Sequence, residues 1–66
     1  MEQLKQIRES KGKSQKEIAS ALGVTESAVS HWENGRYMPT VDKLQQMAKI
    51  LGVTVDELLA DPEEAA

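Results

Sequence analysis

No cysteine occurs in the sequence, which excludes a disulfide framework and a thiolate-held metal. His31 is the single histidine, so an imidazole cluster is excluded too, and neither a metal nor any other cofactor is expected. A chain without cysteine suits a reducing cytoplasm, the expected location. Apolar runs extend over only a few residues, so no membrane span is expected. The N-terminus lacks the basic, apolar and small-residue succession of a secretory signal, and the protein is expected to be soluble and not exported. At 66 residues the chain is expected to be one domain. A domain of this size buries only about 60% of the surface it exposes when unfolded, which leaves little room for an active-site cavity.

What is present is charge, unevenly placed. The net charge is -3 at pH 7, which by itself argues against a polyanionic partner. All eight Lys and Arg lie within residues 1–49 beside six acids, whereas residues 50–66 hold five acids and no base. One end is mildly basic and the other acidic, as in a molecule that turns one face to phosphates. An ordinary solvated surface with an acidic tail would look the same on charge alone.

Apolar spacing and punctuation predict helices and no strand. Leu4 and Ile7 mark a first helix that fails near Gly12. Ser14 and Glu17 form a capping box for a second helix burying Ile18, Ala19 and Leu22, and Gly23 ends it. Thr25 caps a third, with Ala28, Val29 and Trp32 inward and Gly35 as its stop. Pro39 and Thr40 precede a fourth carrying Val41, Leu44, Met47, Ala48 and Leu51, stopped by Gly52. Thr54 and Glu57 repeat the capping box before a short fifth helix with Val55, Leu58 and Leu59. Pro62 opens an acidic tail, so residues 1–61 are expected to be the domain and 62–66 the C-terminal tail.

Residues 14–35 therefore hold two short amphipathic helices joined by a tight turn at Gly23, the signature of a helix-turn-helix. If Ala28, Val29 and Trp32 face the core, Glu26, Ser27, Ser30 and His31 lie on the outer face, because side chains three and four apart share a side. These are short or planar polar groups able to approach base edges.

Several spaced blocks resemble the Xre-type helix-turn-helix family of phage repressors and Cro proteins. They are Gln15-Lys16-Glu17-Ile18-Ala19, Gly23-Val24-Thr25, Val29-Ser30-His31-Trp32-Glu33-Asn34-Gly35, Pro39-Thr40-Val41 and Leu51 to Leu59. The resemblance covers residues 3 to 60. It implies a compact all-α, five-helix domain whose third helix reads double-stranded DNA, with Glu26, Ser27 and His31 at the base-reading positions. Glu26 departs from an ordinary groove contact. Its carboxylate accepts a hydrogen bond from the cytosine amino group, or it is simply a favourable acid in a first helical turn. His31 can bond to guanine or to phosphate.

The resemblance further implies phosphate contacts from Gln15 at the start of helix two. The amide groups beside Ser14 point the same way, at an N-terminus that is itself an anion site. Asn34 and Arg36 match a second clamp, to which Lys43 adds. Lys5, Lys11, Lys13 and Lys16 read as solvated surface supplying long-range attraction. Arg8 and Glu33 match a structural ion pair, and Trp32 and Tyr37 read as packing. Since one helix reads only a few base pairs, a homodimer on a palindromic operator is expected, acting as a transcriptional repressor. Met38, Val55 and Leu58 are expected at its interface. The alternative is an antitoxin or other regulatory module that binds a protein through the helix-five face. Ser27, His31 and Glu33 mimic a catalytic set only superficially. Helical spacing turns Glu33 away from the other two, and no enzyme activity is expected.

Overall fold

In the computed structural model, which describes residues 1–60, the chain forms α1 (Glu2–Ser10), α2 (Gln15–Leu22), α3 (Glu26–Glu33), α4 (Val41–Leu51) and α5 (Val55–Leu59). No strand occurs among the described residues. The domain limit expected at residue 61 and the tail expected at 62–66 lie outside them.

The starts of α2 to α5 follow from local chemistry, whereas α1 begins without a side-chain cap. Ser14 Oγ accepts from the Glu17 backbone N–H at 3.0 Å while Glu17 Oε1 accepts from the Ser14 N–H at 3.1 Å, which satisfies two donors that α2 leaves orphaned. Thr25, Thr40 and Thr54 each accept from the backbone N–H three residues on, capping α3, α4 and α5. The Thr54 cap lacks the reciprocal glutamate bond of a capping box.

The end of α2 requires glycine. Gly23 adopts φ +71°, with its N–H donating to the Ser20 carbonyl and the Val24 N–H to the Ala19 carbonyl. A Cβ there would meet nothing within 4 Å, so the requirement is conformational rather than steric. This closure makes the reversal between α2 and α3 short.

One core joins all five helices: Leu4, Ile18, Ala19, Leu22, Val29, Trp32, Leu44, Met47, Ala48, Leu51 and Leu58. α2 packs on α3 and α4, while α1 packs on α3 and α5. α3 is thus braced from two sides, by α2 and α1.

Three side chains differ from expectation. Val41 is 68% exposed although it shares the apolar spacing of α4. It sits in the first turn, and spacing fixes the side of a helix without fixing how far its neighbours extend. Leu59 is exposed for the complementary reason: α5 has five residues and only Leu58 points fully inward. Leu58 itself, expected at a dimer face, has no exposed surface and packs in the core. A short last helix satisfies its apolar need within the chain, which removes Leu58 from any interface.

Candidate nucleic-acid interface

The α2–turn–α3 unit sets which side of α3 faces outward. Val29, Trp32 and Glu33 are buried, Glu26 and Ser27 are exposed, and Ser30 and His31 are half-buried. The polar groups form a continuous outward strip, since positions 26 and 30, 27 and 30, and 27 and 31 are three or four apart and share a side of the helix. Glu26 and Ser27 are open, while Asn34 lies against Ser30 and Tyr37 against His31 at the far end of the strip.

A charged network fixes the other end of α3. Arg8 Nε donates to Glu33 Oε2 at 2.6 Å and Arg8 Nη2 to Glu33 Oε1 at 3.2 Å, a two-point fork between α1 and α3. The two side chains are 11% and 2% exposed, so the pair is dry enough for its geometry to matter. The hydrogen bond to Glu33 raises the Arg8 pKa above its ordinary value, more than burial lowers it, and attraction to Glu33 and Glu9 adds to the rise. Arg8 Nη1 also donates to the Lys13 carbonyl at 2.8 Å, which ties down the loop before α2.

Gln15 joins the same network. Its Nε2 donates to Glu33 Oε1 at 2.9 Å, so the start of α2 is bound to the end of α3. An amide nitrogen carries two protons; one is committed to Glu33 and the other remains for an outside acceptor. Beside it, Asn34 and Arg36 are exposed on the loop after α3, and Asn34 Nδ2 donates to Ser30 Oγ at 3.5 Å. Ser14 is exposed, but its hydroxyl is engaged in the cap.

Lys43, expected to add to the phosphate clamp, also makes a contact within the chain, which engages one of its three ammonium protons. Its Nζ donates to the Leu22 carbonyl at 2.7 Å, so the cation closes the C-terminal end of α2. That carbonyl is one of the acceptors a helix end leaves unpaired, and α4 brings the lysine within reach. Glu33 is committed to Arg8 and Gln15, which leaves Ser27 and His31 without the carboxylate that a catalytic set requires. Among the described residues no group of three or more His, Cys, Asp or Glu is placed to hold a metal. Among the described residues no helix is long and apolar enough to cross a membrane.

Three contacts escape a reading of the sequence. The Gln15–Glu33 and Lys43–Leu22 bonds span 18 and 21 residues and leave no local pattern. The third, between the His31 and Tyr37 rings, had a partial signal. Gly35 marks where the chain doubles back, and an aromatic residue two positions later returns beside the last turn of α3.

Residues 4–58 match the family described as Helix-turn-helix. The chain belongs to that family. It is 39% identical over 62 residues to the HTH-type transcriptional activator BcrR of Enterococcus faecalis, a match that covers 94% of this chain and 30% of the activator. Among solved structures, the hypothetical transcription factor NHTF from Neisseria superposes with TM-score 0.82 at 33% identity, covering 96% of this chain and 72% of that one. A chain of the SinR protein/SinI protein complex gives TM-score 0.79 at 33% identity, covering 96% and 62%. The chain spans about a third of the length of such curated relatives.

Proposed function

We propose that this chain is a sequence-specific DNA-binding transcriptional regulator, a repressor that occludes a promoter as a homodimer on a palindromic operator. The observation that carries this reading is the polar strip of Glu26, Ser27, Ser30 and His31 on the outward side of a helix that Arg8, Glu33 and Gln15 brace from behind. A rigid helix presenting such groups fits the major groove, where Glu26 accepts from cytosine, His31 donates to guanine, and the serines adapt.

Phosphate contact falls to the N-terminal end of α2 at Ser14 and Gln15 and to Asn34 and Arg36, with Lys43 adding through the ammonium protons that its bond to Leu22 leaves free. The α2 end offers backbone N–H groups and a positive dipole end, and Arg36 supplies an exposed cation. Dimerisation is argued from the few base pairs one helix can read, with Met38, 60% exposed, and half-buried Val55 as contact groups. Leu58 is enclosed, so the alternative, a protein partner on the α5 face, would have to rest on Val55 and Leu59 instead.

Selection of bound sequences from a random duplex library tests the reading, repeated with Glu26→Ala, His31→Ala and Gln15→Ala. Glu26→Ala and His31→Ala are each expected to relax one position of each half-site, by about 1 to 3 kcal/mol of discrimination. Gln15→Ala should instead weaken all sequences alike. Unchanged preferences in both base-reading variants would show that α3 is not the reader.

A further inference from the structure

We infer that Tyr37 is a specificity-determining positioning residue: its ring holds the His31 imidazole in the orientation that reads a base. The inference rests on the proposed role of His31. Tyr37 carries no other evident duty, since its side chain is 61% exposed and lies outside the core. Its ring centroid lies 5.2 Å from that of His31, with the planes inclined at 70°, an edge-to-face arrangement that aromatic quadrupoles favour.

The approach is built into the backbone. Gly35 adopts φ +79°, the Gly35 N–H donates to the Trp32 carbonyl at 3.2 Å, and the Arg36 N–H donates to the His31 carbonyl at 2.9 Å. The last bond anchors the returning loop on His31 itself, and Tyr37 follows directly. The tyrosine is therefore placed by the closure of α3 rather than by chance proximity.

A histidine on an exposed helix face otherwise turns easily about its terminal torsion, which has broad minima. A freely turning imidazole meets acceptors on several bases and loses rotamer freedom on binding. Held at a fixed angle by Tyr37, it offers its N–H in one direction and distinguishes one base from another. Tyr37 follows α3 in the loop and acts through His31.

The test is the duplex selection described for His31, carried out with Tyr37→Ala, Tyr37→Phe and the Tyr37→Ala/His31→Ala double variant, each first checked for unchanged thermal unfolding. Tyr37→Ala is expected to relax discrimination by about 2- to 10-fold. The loss should fall at the same half-site position that His31→Ala relaxes and at no other. Tyr37→Phe, which keeps the ring, should retain wild-type preference, and the double variant should be no more relaxed than His31→Ala alone. Wild-type preference in Tyr37→Ala, or a uniform loss at every position, overturns the inference while leaving the reading by α3 intact. A uniform loss in Tyr37→Phe would mark a direct hydroxyl contact with the backbone and overturn it as well. If His31→Ala itself changes no position, the role of His31 fails, and the inference fails with it.

Discussion

Replacing Glu33 with alanine is expected to destabilise the domain by about 3 to 5 kcal/mol, because it strands the buried Arg8 cation. Two donors lose their acceptor at once, the Arg8 guanidinium and the Gln15 amide. A domain of this length has a total stability of about 3 to 9 kcal/mol, so the variant should be largely unfolded or close to it at 37 °C. Urea unfolding followed by circular dichroism gives the difference. The cost belongs to the stranded charge more than to the pair itself. The double variant Arg8→Met/Glu33→Leu, with apolar groups of similar length in the same space, should therefore recover much of it. The Arg8 side carries no pH dependence near neutrality. A raised folded-state pKa gives stability fully present below the unfolded value, lost only as pH rises through the folded one, and for arginine that lies far above neutral. A Glu33→Ala cost under about 1 kcal/mol would show the pair to be a solvated surface contact.

Raising salt from 50 to 200 mM is expected to weaken binding of the wild-type protein to its selected duplex by about 10²- to 10⁴-fold, for a homodimer that neutralises about 4 to 8 phosphates. The overall charge makes this expectation sharp. With a net charge of -3, the molecule as a whole is repelled by a polyanion, so any steep salt dependence must come from local cations and helix ends. Lys11, Lys16 and Arg36 are exposed and Lys43 keeps two ammonium protons beyond its bond to Leu22, whereas Arg8 is committed to Glu33 and the Lys13 carbonyl. An apolar protein interface would scarcely respond to the same change. Fluorescence anisotropy with a labelled duplex over a salt series measures the slope, and a flat response would remove phosphate contact from the account.

The helices were legible where a local rule suffices. Ser14 with Glu17 and the threonines at 25, 40 and 54 announce helix starts through bonds that close within three residues. Gly23 and Gly52 announce ends through a conformation other residues avoid. The outward strip was legible too, because the inward positions of a single helix determine its opposite face. Tertiary reach was not legible. Val41 and Leu58 share apolar character and helical spacing, yet one is open and the other enclosed, since that depends on where neighbouring helices end. Lys43 looks like any exposed cation in the sequence, and only the crossing of α4 beside the end of α2 gives it the Leu22 carbonyl. Resemblance supplied the matching positions of Arg8 and Glu33. The part Gln15 plays in the same network needed three dimensions.

The central claim is that the outer side of α3 meets the duplex, and amide chemical-shift mapping of the labelled protein during titration with its selected duplex measures this residue by residue. The account predicts the largest changes at residues 26–31, 14–17 and 34–36, with the exposed residues Gln45, Gln46 and Lys49 of α4 left unmoved. Saturable binding with the α3 amides unmoved and the changes concentrated on α4 would contradict it.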